Sequence, residues 1–249
     1  IGIDIGNPLI EEIRKQYGDI YEITEQVCDI LKQNAHVPVN ENEIGYITLY
    51  FACYTRKNRF ADNRINLIVV CPSGLATASM LKTELEKYGF NVLHDTTDHE
   101  PPKLSTAYSR SIITMEEYKE KYPDIDVYID VHRDAAGDST SNDDYVTING
   151  DECAKLMFVV GKGTAASVKG DKPNWQANYA LAKSITEQLE SIKEGFTREI
   201  RLKPGRYNQH ISDMSLLVEV GHNKNTLTQA KNAAKYLAQA FSQVVSVDN

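Results

Sequence analysis

Two short apolar stretches, each interrupted by chemistry-bearing side chains, limit what this chain can become. Asp126–Asp134 reads D-V-Y-I-D-V-H-R-D. Val127, Ile129 and Val131 are β-branched and fall at every second position, the period of a buried strand. The strand ends on Asp130, His132, Arg133 and Asp134. That ending suits an α/β sheet, in which ligands bind beyond the carboxyl ends of the strands. An imidazole placed there fits metal ligation or proton transfer, because it can lie neutral near pH 7. The competing reading is a structural histidine beside an Arg133–Asp134 pair.

Ser215–Gly221 reads S-L-L-V-E-V-G. Leu216, Leu217, Val218 and Val220 make a second strand, and Glu219 sits inside it. A carboxylate in such a run is costly unless it is paired, metal-bound or catalytic. The alternatives are an outward-facing Glu at a sheet edge or a structural partner of an Arg. One imidazole and one carboxylate on two apolar strands match metal-assisted hydrolysis, where the imidazole ligates and the carboxylate activates water. The alternation places Glu219 on one face with Leu217, and Leu216, Val218 and Val220 on the other. It predicts that Glu219 and His132 project into one cleft.

The 249 residues are 41% hydrophobic and 25% charged, the balance of a soluble globule of one large or two modest domains. A net charge of −8 with no basic stripe argues against nucleic-acid contact. No apolar run approaches the roughly 20 residues of a membrane helix. The first residue is Ile, with no signal peptide, so a fragment is expected. Cys28, Cys53, Cys71 and Cys153 are far apart and form neither a disulfide framework nor a zinc knuckle.

In chain order, Asn7–Asn34 reads as helix with a break near Gly18, and Glu43–Lys57 as a second helix. Arg59–Arg64 reads as a polar linker. Ile65–Val70 is a strand, followed by a small-residue loop from Cys71 to Ser79 and a helix, Ala78–Tyr88. Strand, small-residue loop and helix N-terminus together form an anion cradle, at which a cysteine has a depressed pKa. An ordinary βα turn with a buried Cys71 is the other reading. Phe90–His94, Tyr145–Asn149, Lys155–Gly161 and Arg198–Leu202 are further strands. Ser109–Lys121, Asn174–Ile192 and Thr226–Val245 are further helices. Asp134–Asn142 is expected to be a flexible rim, and Trp175 a helix anchor or a sugar platform. The fold class predicted is α/β, a sheet with flanking helices, preceded by a small helical segment. The domains expected are 1–62 and 63–249.

Several phrases resemble one family. Val92–Thr96 (V-L-H-D-T), His99, Ala107–Ser111 (A-Y-S-R-S), Ile129–Asp134 (I-D-V-H-R-D) and Ala154–Gly161 (A-K-L-M-F-V-V-G) are followed by Pro173–Trp175 (P-N-W), Arg206–Gln209 (R-Y-N-Q) and Ser215–Gly221. From about Leu85 to Val245 the chain resembles the catalytic domain of stage II sporulation protein P, related to zinc-dependent N-acetylmuramoyl-L-alanine amidases. The resemblance implies cleavage of the amide between muramic acid and the stem peptide. It also implies an extracytoplasmic, membrane-anchored setting, with peptidoglycan and other sporulation cell-wall proteins as partners.

Asn7–Ile13 (N-P-L-I-E-E-I) and Glu43–Phe51 (E-I-G-Y-I-T-L-Y-F) resemble part of a phosphotransferase-system regulation domain, cytoplasmic in its family. Tyr50 stands where that family carries a phosphorylated His. The segment 65–88 resembles an enzyme IIB loop, with Cys71 as phosphoacceptor.

The amidase family takes a His and a Glu ligand from its first strand and the loop after it. Here Cys71 stands near the place of the His and Ala76 near that of the Glu. The resemblance therefore implies weak zinc binding through His132, with Cys71 as substitute ligand and His94 or His99 as third candidate. Glu219 is the general base, and Arg133, Asp134, Arg206 and Asn208 line the groove. A junction between two parent sequences is expected at Leu81–Gly89. The alternatives are a phosphotransferase-linked regulatory module acting through Cys71 and an inactive hybrid.

Overall fold

The computed structural model describes residues 7, 10–35, 38–58, 64–71, 75–103, 106–135, 137 and 144–245. Most of the expected linker at 59–64, most of the 134–142 rim and positions 72–74 of the cysteine loop lie outside them. The chain divides into two units, 1–62 and 63–249.

The first unit holds helices α1 (Ile10–Gln16), α2 (Gly18–Ala35) and α3 (Glu41–Asn58). The long helix read from the sequence is cut just before Gly18, as expected. Ile13, Tyr21, Cys28 and Ile44 are buried together, with Ile10, Tyr17, Val39, Ile47 and Leu49 packed around them. A reciprocal cap starts α3: the Asn40 carboxamide oxygen accepts from the Glu43 N–H at 2.9 Å, and the Glu43 carboxylate accepts from the Asn40 N–H at 2.8 Å. That exchange satisfies two of the backbone donors a helix start leaves unpaired.

The second unit runs β1 (Asn66–Val70), α4 (Leu75–Lys87), β2 (Asn91–His94), α5 (Ala107–Lys121), β3 (Val127–Asp134) and β4 (Tyr145–Ile148). It continues β5 (Asp151–Ala154), β6 (Leu156–Gly161), α6 (Trp175–Ile192), β7 (Arg201–Lys203), β8 (Ser215–His222) and α7 (Leu227–Val244). The main sheet has the order β2-β1-β3-β8-β6-β7. β2, β1, β3 and β8 are parallel, β6 is antiparallel to β8, and β7 is parallel to β6. This is the expected α/β sheet with flanking helices. β4 and β5 form a separate hairpin, and β5 is an addition to the strands read from sequence. Its turn, Asn149-Gly150, has positive φ at both residues (52° and 89°), the requirement of a tight two-residue hairpin turn.

Alternation assigns each strand's side chains to one of two faces. Leu67, Val69, Val127, Ile129, Val131, Leu216, Val218, Val220, Leu156, Phe158 and Val160 share one core with residues of α4, α6 and α7. Burying an aliphatic side chain of this size contributes about 1.5–3 kcal/mol, so this face holds most of the unit's stability. The opposite face has a small apolar group, Met157, Val159 and Leu217, covered by Tyr108 and Tyr207. Thr226 and Gln229 cap α7 reciprocally. Of the α7 stripe read from sequence, Ala230, Ala234, Leu237 and Phe241 are buried, whereas Leu227 in the first turn is exposed. No described helix is long and apolar enough to cross a membrane.

Candidate functional site

β3 and β8 are neighbours, and their register sets His132 beside Glu219 and Asp130 beside Leu217. Glu219 also faces Met157 across the antiparallel pairing with β6. Val127, Ile129 and Val131 take the helix-packed core, so period-2 alternation turns Asp130 and His132 to the other face. The carboxyl ends of two parallel strands thus present an imidazole and a carboxylate side by side, as the alternation predicts.

Asp130 is buried, and its Oδ1 lies 2.9 Å from His132 Nε2. The contact is close but not aligned as a hydrogen bond. Both Asp130 oxygens, His132 Nε2 and Glu219 Oε2 are buried without an aligned partner. Four such atoms in one place mark a site rather than a packed core, because buried polar groups are otherwise nearly always satisfied. Burial disfavours the imidazolium, yet the charge and contact of Asp130 and the charge of Glu219 outweigh it, raising His132 to about 9. Burial pushes the Glu219 carboxyl up to about 7; Asp134 and Asp130 add to the rise, while His132 and Arg198 oppose it. A carboxyl that titrates there exchanges protons at neutral pH, as a general acid–base requires.

Tyr108, in the first turn of α5, stacks on His132 with ring centroids 6.0 Å apart and planes 16° from parallel. Tyr207 meets Tyr108 edge-on at 5.4 Å and 89°. The turn that carries Tyr207 is tightly built. Tyr207 and Asn208 both have positive φ, 50° and 55°. A Cβ at Gly161 would lie 2.7 Å from the Gly205 carbonyl oxygen and 2.9 Å from the Tyr207 ring. Gln209 pins the same turn to β6, accepting from the Gly161 N–H at 2.7 Å and donating to the Val159 carbonyl at 2.8 Å.

The groove residues expected from the sequence serve largely as scaffold. Arg133 donates to the carbonyls of His222, at 2.7 Å, and Asn225. Asp134 pairs with Arg198 at 2.7 Å and stands 3.8 Å from Arg201, so the expected Arg133–Asp134 pair does not form. Arg133 turns instead to the segment that follows β8, and the strand pairing is irregular between His132 and Asp134. Arg206 donates to the carbonyls of Lys169 and Asp171 at 3.2 and 3.4 Å. Asn208 is buried; its amide donates to the Tyr108 carbonyl at 2.9 Å and to Ser111 Oγ at 3.0 Å. Arg198 and Tyr108 join the site from distant segments: Tyr108 lies in the phrase Ala107–Ser111 that carries the family resemblance, but nothing in that phrase assigns it a role at this site.

Cys71 does not stand beside His132. β1 registers Val70 with Asp130, so the residue after Val70 falls on the other face. Cys71 is buried at 1% exposure within the helix-packed core that holds Val131 and Ala78. A thiol so enclosed is also unsuited to accept a phosphoryl group from a partner. His94 registers with Val69 of that same core face. Burial lowers its pKa, and Lys82 of α4 lowers it further. His99 is buried, with Nε2 2.9 Å from Thr114 Oγ1 and 3.9 Å from Asp95 Oδ2.

The zinc implied by the family resemblance needs about three protein donors. Among the described residues, no group of three or more His, Cys, Asp or Glu side chains is arranged to hold a metal ion. The described donors therefore do not fit zinc.

Residues 57–242 match the profile of the family Stage II sporulation protein P (SpoIIP), and residues 1–53 match the PRD domain. Stage II sporulation protein P of Bacillus subtilis (strain 168) is 31% identical over 121 residues, covering 47% of this chain and 27% of that protein. The probable licABCH operon regulator of the same organism is 26% identical over 87 residues, 35% of this chain and 14% of the regulator. The chain thus spans about a quarter or less of each relative. The crystal structure of N-acetylmuramoyl-L-alanine amidase from Clostridium difficile 630 superposes with a TM-score of 0.44 at 15% identity, over 73% of this chain and 95% of that one. The amidase-side family and the N-terminal regulation domain read from sequence phrases are both borne out. The 57–242 match begins ahead of the junction expected at Leu81–Gly89, so β1, the cysteine loop and α4 lie within it. With that match spanning well over half its length, the chain belongs to the stage II sporulation protein P family.

Proposed function

We propose that the 63–249 unit is a peptidoglycan-directed, amidase-like hydrolase that cleaves the N-acetylmuramoyl-L-alanine bond. The observation that carries this reading is the pairing of His132 with Glu219 at the carboxyl ends of two central strands, amid buried polar atoms that lack aligned partners. Glu219 removes a proton from the attacking water and returns it to the departing amine. His132, held close to Asp130, presents a positive charge to the substrate carbonyl beside it. Family membership supports the substrate class, and a peptidoglycan substrate places the activity outside the cytoplasm.

The test is incubation of the purified chain with isolated peptidoglycan, with and without added zinc, followed by chemical labelling of newly exposed L-alanine amino groups. New amino termini are expected. Their absence in both arms overturns the reading.

A second reading concerns the first unit alone and is favoured by its match to the PRD domain. Residues 1–53 then form a regulatory module. Tyr50, where the resemblance expects a phosphorylated His, is 83% exposed. A phenol does not form the labile phosphoramidate of a phosphohistidine, so this module works without that switch at position 50. Incubation with a phosphohistidine donor protein is expected to leave residue 50 unmodified, as read by mass spectrometry.

A further inference from the structure

Three features outside the His132–Glu219 pair invite a role. In the cluster of Asp95, His99 and Thr114 of α5, the two titratable groups Asp95 and His99 are buried and face no opening. The small void among Leu81, Leu85, Ile129, Phe158, Leu216, Val218, Leu237 and Phe241 is wholly apolar and lies within the main core. The third feature is Tyr108, and it leads further.

We propose that Tyr108 is the hydroxyl donor of this site, hydrogen-bonding the oxygen that becomes negative when water attacks the amide carbonyl. The proposal rests on the amide-hydrolase reading above and adds a catalytic residue to it.

Geometry carries it. The Tyr108 ring lies over the floor formed by Met157, Val159 and Leu217, residues that neighbour Glu219 along and across the strands. It also stacks on His132. Its hydroxyl lies close enough to the same polar cluster for the charges of both Asp130 and Glu219 to act on it.

The ring is fixed from behind. Tyr207 contacts it edge-on, and the Asn208 amide holds both the Tyr108 carbonyl and Ser111 Oγ. Tyr207 and Asn208 are both left-handed, a conformation that is unfavourable for non-glycine residues and persists where surrounding contacts impose it. A donor so immobilised needs no reorganisation as charge develops, the main requirement of oxyanion stabilisation. Burial, with Asp130 and Glu219 adding to it, raises the phenol well above the ordinary tyrosine range. The group therefore keeps its proton and donates a hydrogen bond throughout. The water proton goes to Glu219 and then to the amine, and the carbon–nitrogen bond breaks as the carbonyl reforms.

The experiment compares two muramoyl-alanyl ligands by calorimetry on the whole chain: the ordinary amide and its phosphinate, whose tetrahedral anionic centre resembles the attacked carbonyl. Wild type is expected to prefer the phosphinate. Tyr108→Phe keeps the ring stack and removes only the hydroxyl. It is expected to weaken the phosphinate by about 10²-fold, the range of a lost oxyanion donor, while amide binding changes less than about twofold. Tyr108→Leu, which also loses the stack, is expected to weaken both. No phosphinate preference in wild type, or the same preference in Tyr108→Phe, overturns the proposal. Failure of the hydrolase reading shows separately, as an absence of cleaved product with the phosphinate preference intact.

Discussion

His132 and Glu219 are 87 positions apart in sequence and sit side by side on adjacent parallel strands, at matched positions of the register between β3 and β8. The relationship needs no loop rearrangement, because it is written into backbone hydrogen bonds of a buried sheet. The first prediction tests it. Glu219→Gln preserves shape and removes the base, so any amidase activity is expected to fall by about 10² or more, typical of a lost general base. The thermal midpoint is expected to hold or rise, since the variant replaces a buried carboxylate whose oxygen lacks an aligned partner. Loss of folding in this variant would make Glu219 a structural partner instead.

Glu190 near the end of α6 offers a test of pH-dependent stability away from the site. Its carboxylate accepts from the Gly195 N–H at 2.8 Å, from the Thr197 N–H at 2.6 Å and from the Thr197 hydroxyl. Burial pushes its pKa up, but these hydrogen bonds outweigh that and hold it below the ordinary carboxylate value. A carboxylate depressed in the folded state contributes stability above its unfolded pKa, and loses it as pH falls through the lower folded value. Glu190→Gln is therefore expected to cost about 1 kcal/mol at pH 7, a modest figure because the group is partly exposed. The gap between variant and wild type should close towards pH 3. Urea unfolding midpoints at the two pH values measure it, and a gap that persists at pH 3 contradicts the account.

Gly221 sits where β8 leaves the sheet, with φ +70°. A Cβ there would lie 2.5 Å from Asn225 Oδ1 and 2.7 Å from the Ala154 Cβ. Asn225 Oδ1 also accepts the His222 N–H at 2.9 Å. Gly221→Ala combines a left-handed backbone penalty with a clash against backbone-linked atoms, so a loss of about 2–4 kcal/mol is expected. Chemical denaturation checks it. Gly150, also at positive φ but with nothing within 4 Å of an added Cβ, should cost only about 1 kcal/mol when changed to Ala.

Cys71 lies at the end of β1 in the place of a reactive thiol, yet it is enclosed by the main core. Under native conditions its alkylation near neutral pH is expected to be about 10²-fold or more slower than that of a free thiol, because access requires opening of the fold. Mass-spectrometric mapping of labelled peptides over time measures it. Labelling at the free-thiol rate would return the phosphoacceptor reading to consideration.

The local layout of the site is legible in the sequence. Val127, Ile129 and Val131 against Asp130 and His132, and Leu216, Val218 and Val220 against Leu217 and Glu219, follow from side chains alternating along an extended chain. A one-residue slip would turn a buried set outward, so the pattern declares the face. The helix caps at Asn40 and Thr226 are equally local. What stayed hidden depends on which distant segments become neighbours. Cys71 stands at the expected strand end but on the face away from His132, because its side depends on the register that pairs Val70 with Asp130 across 60 residues. Asp134 takes Arg198 rather than the adjacent Arg133, since Arg133 is committed to the His222 and Asn225 carbonyls and an arginine from beyond α6 reaches Asp134. Tyr108 reaches His132 only because α5 packs over the sheet and the left-handed Tyr207–Asn208 turn holds it there. The sequence by itself determined each strand's two faces and the identity of the polar groups on them, because those rest on short-range alternation. The tertiary structure alone decided the neighbours across strands and the aromatic roof, because contact between remote segments is set by the packing of the whole sheet and its helices.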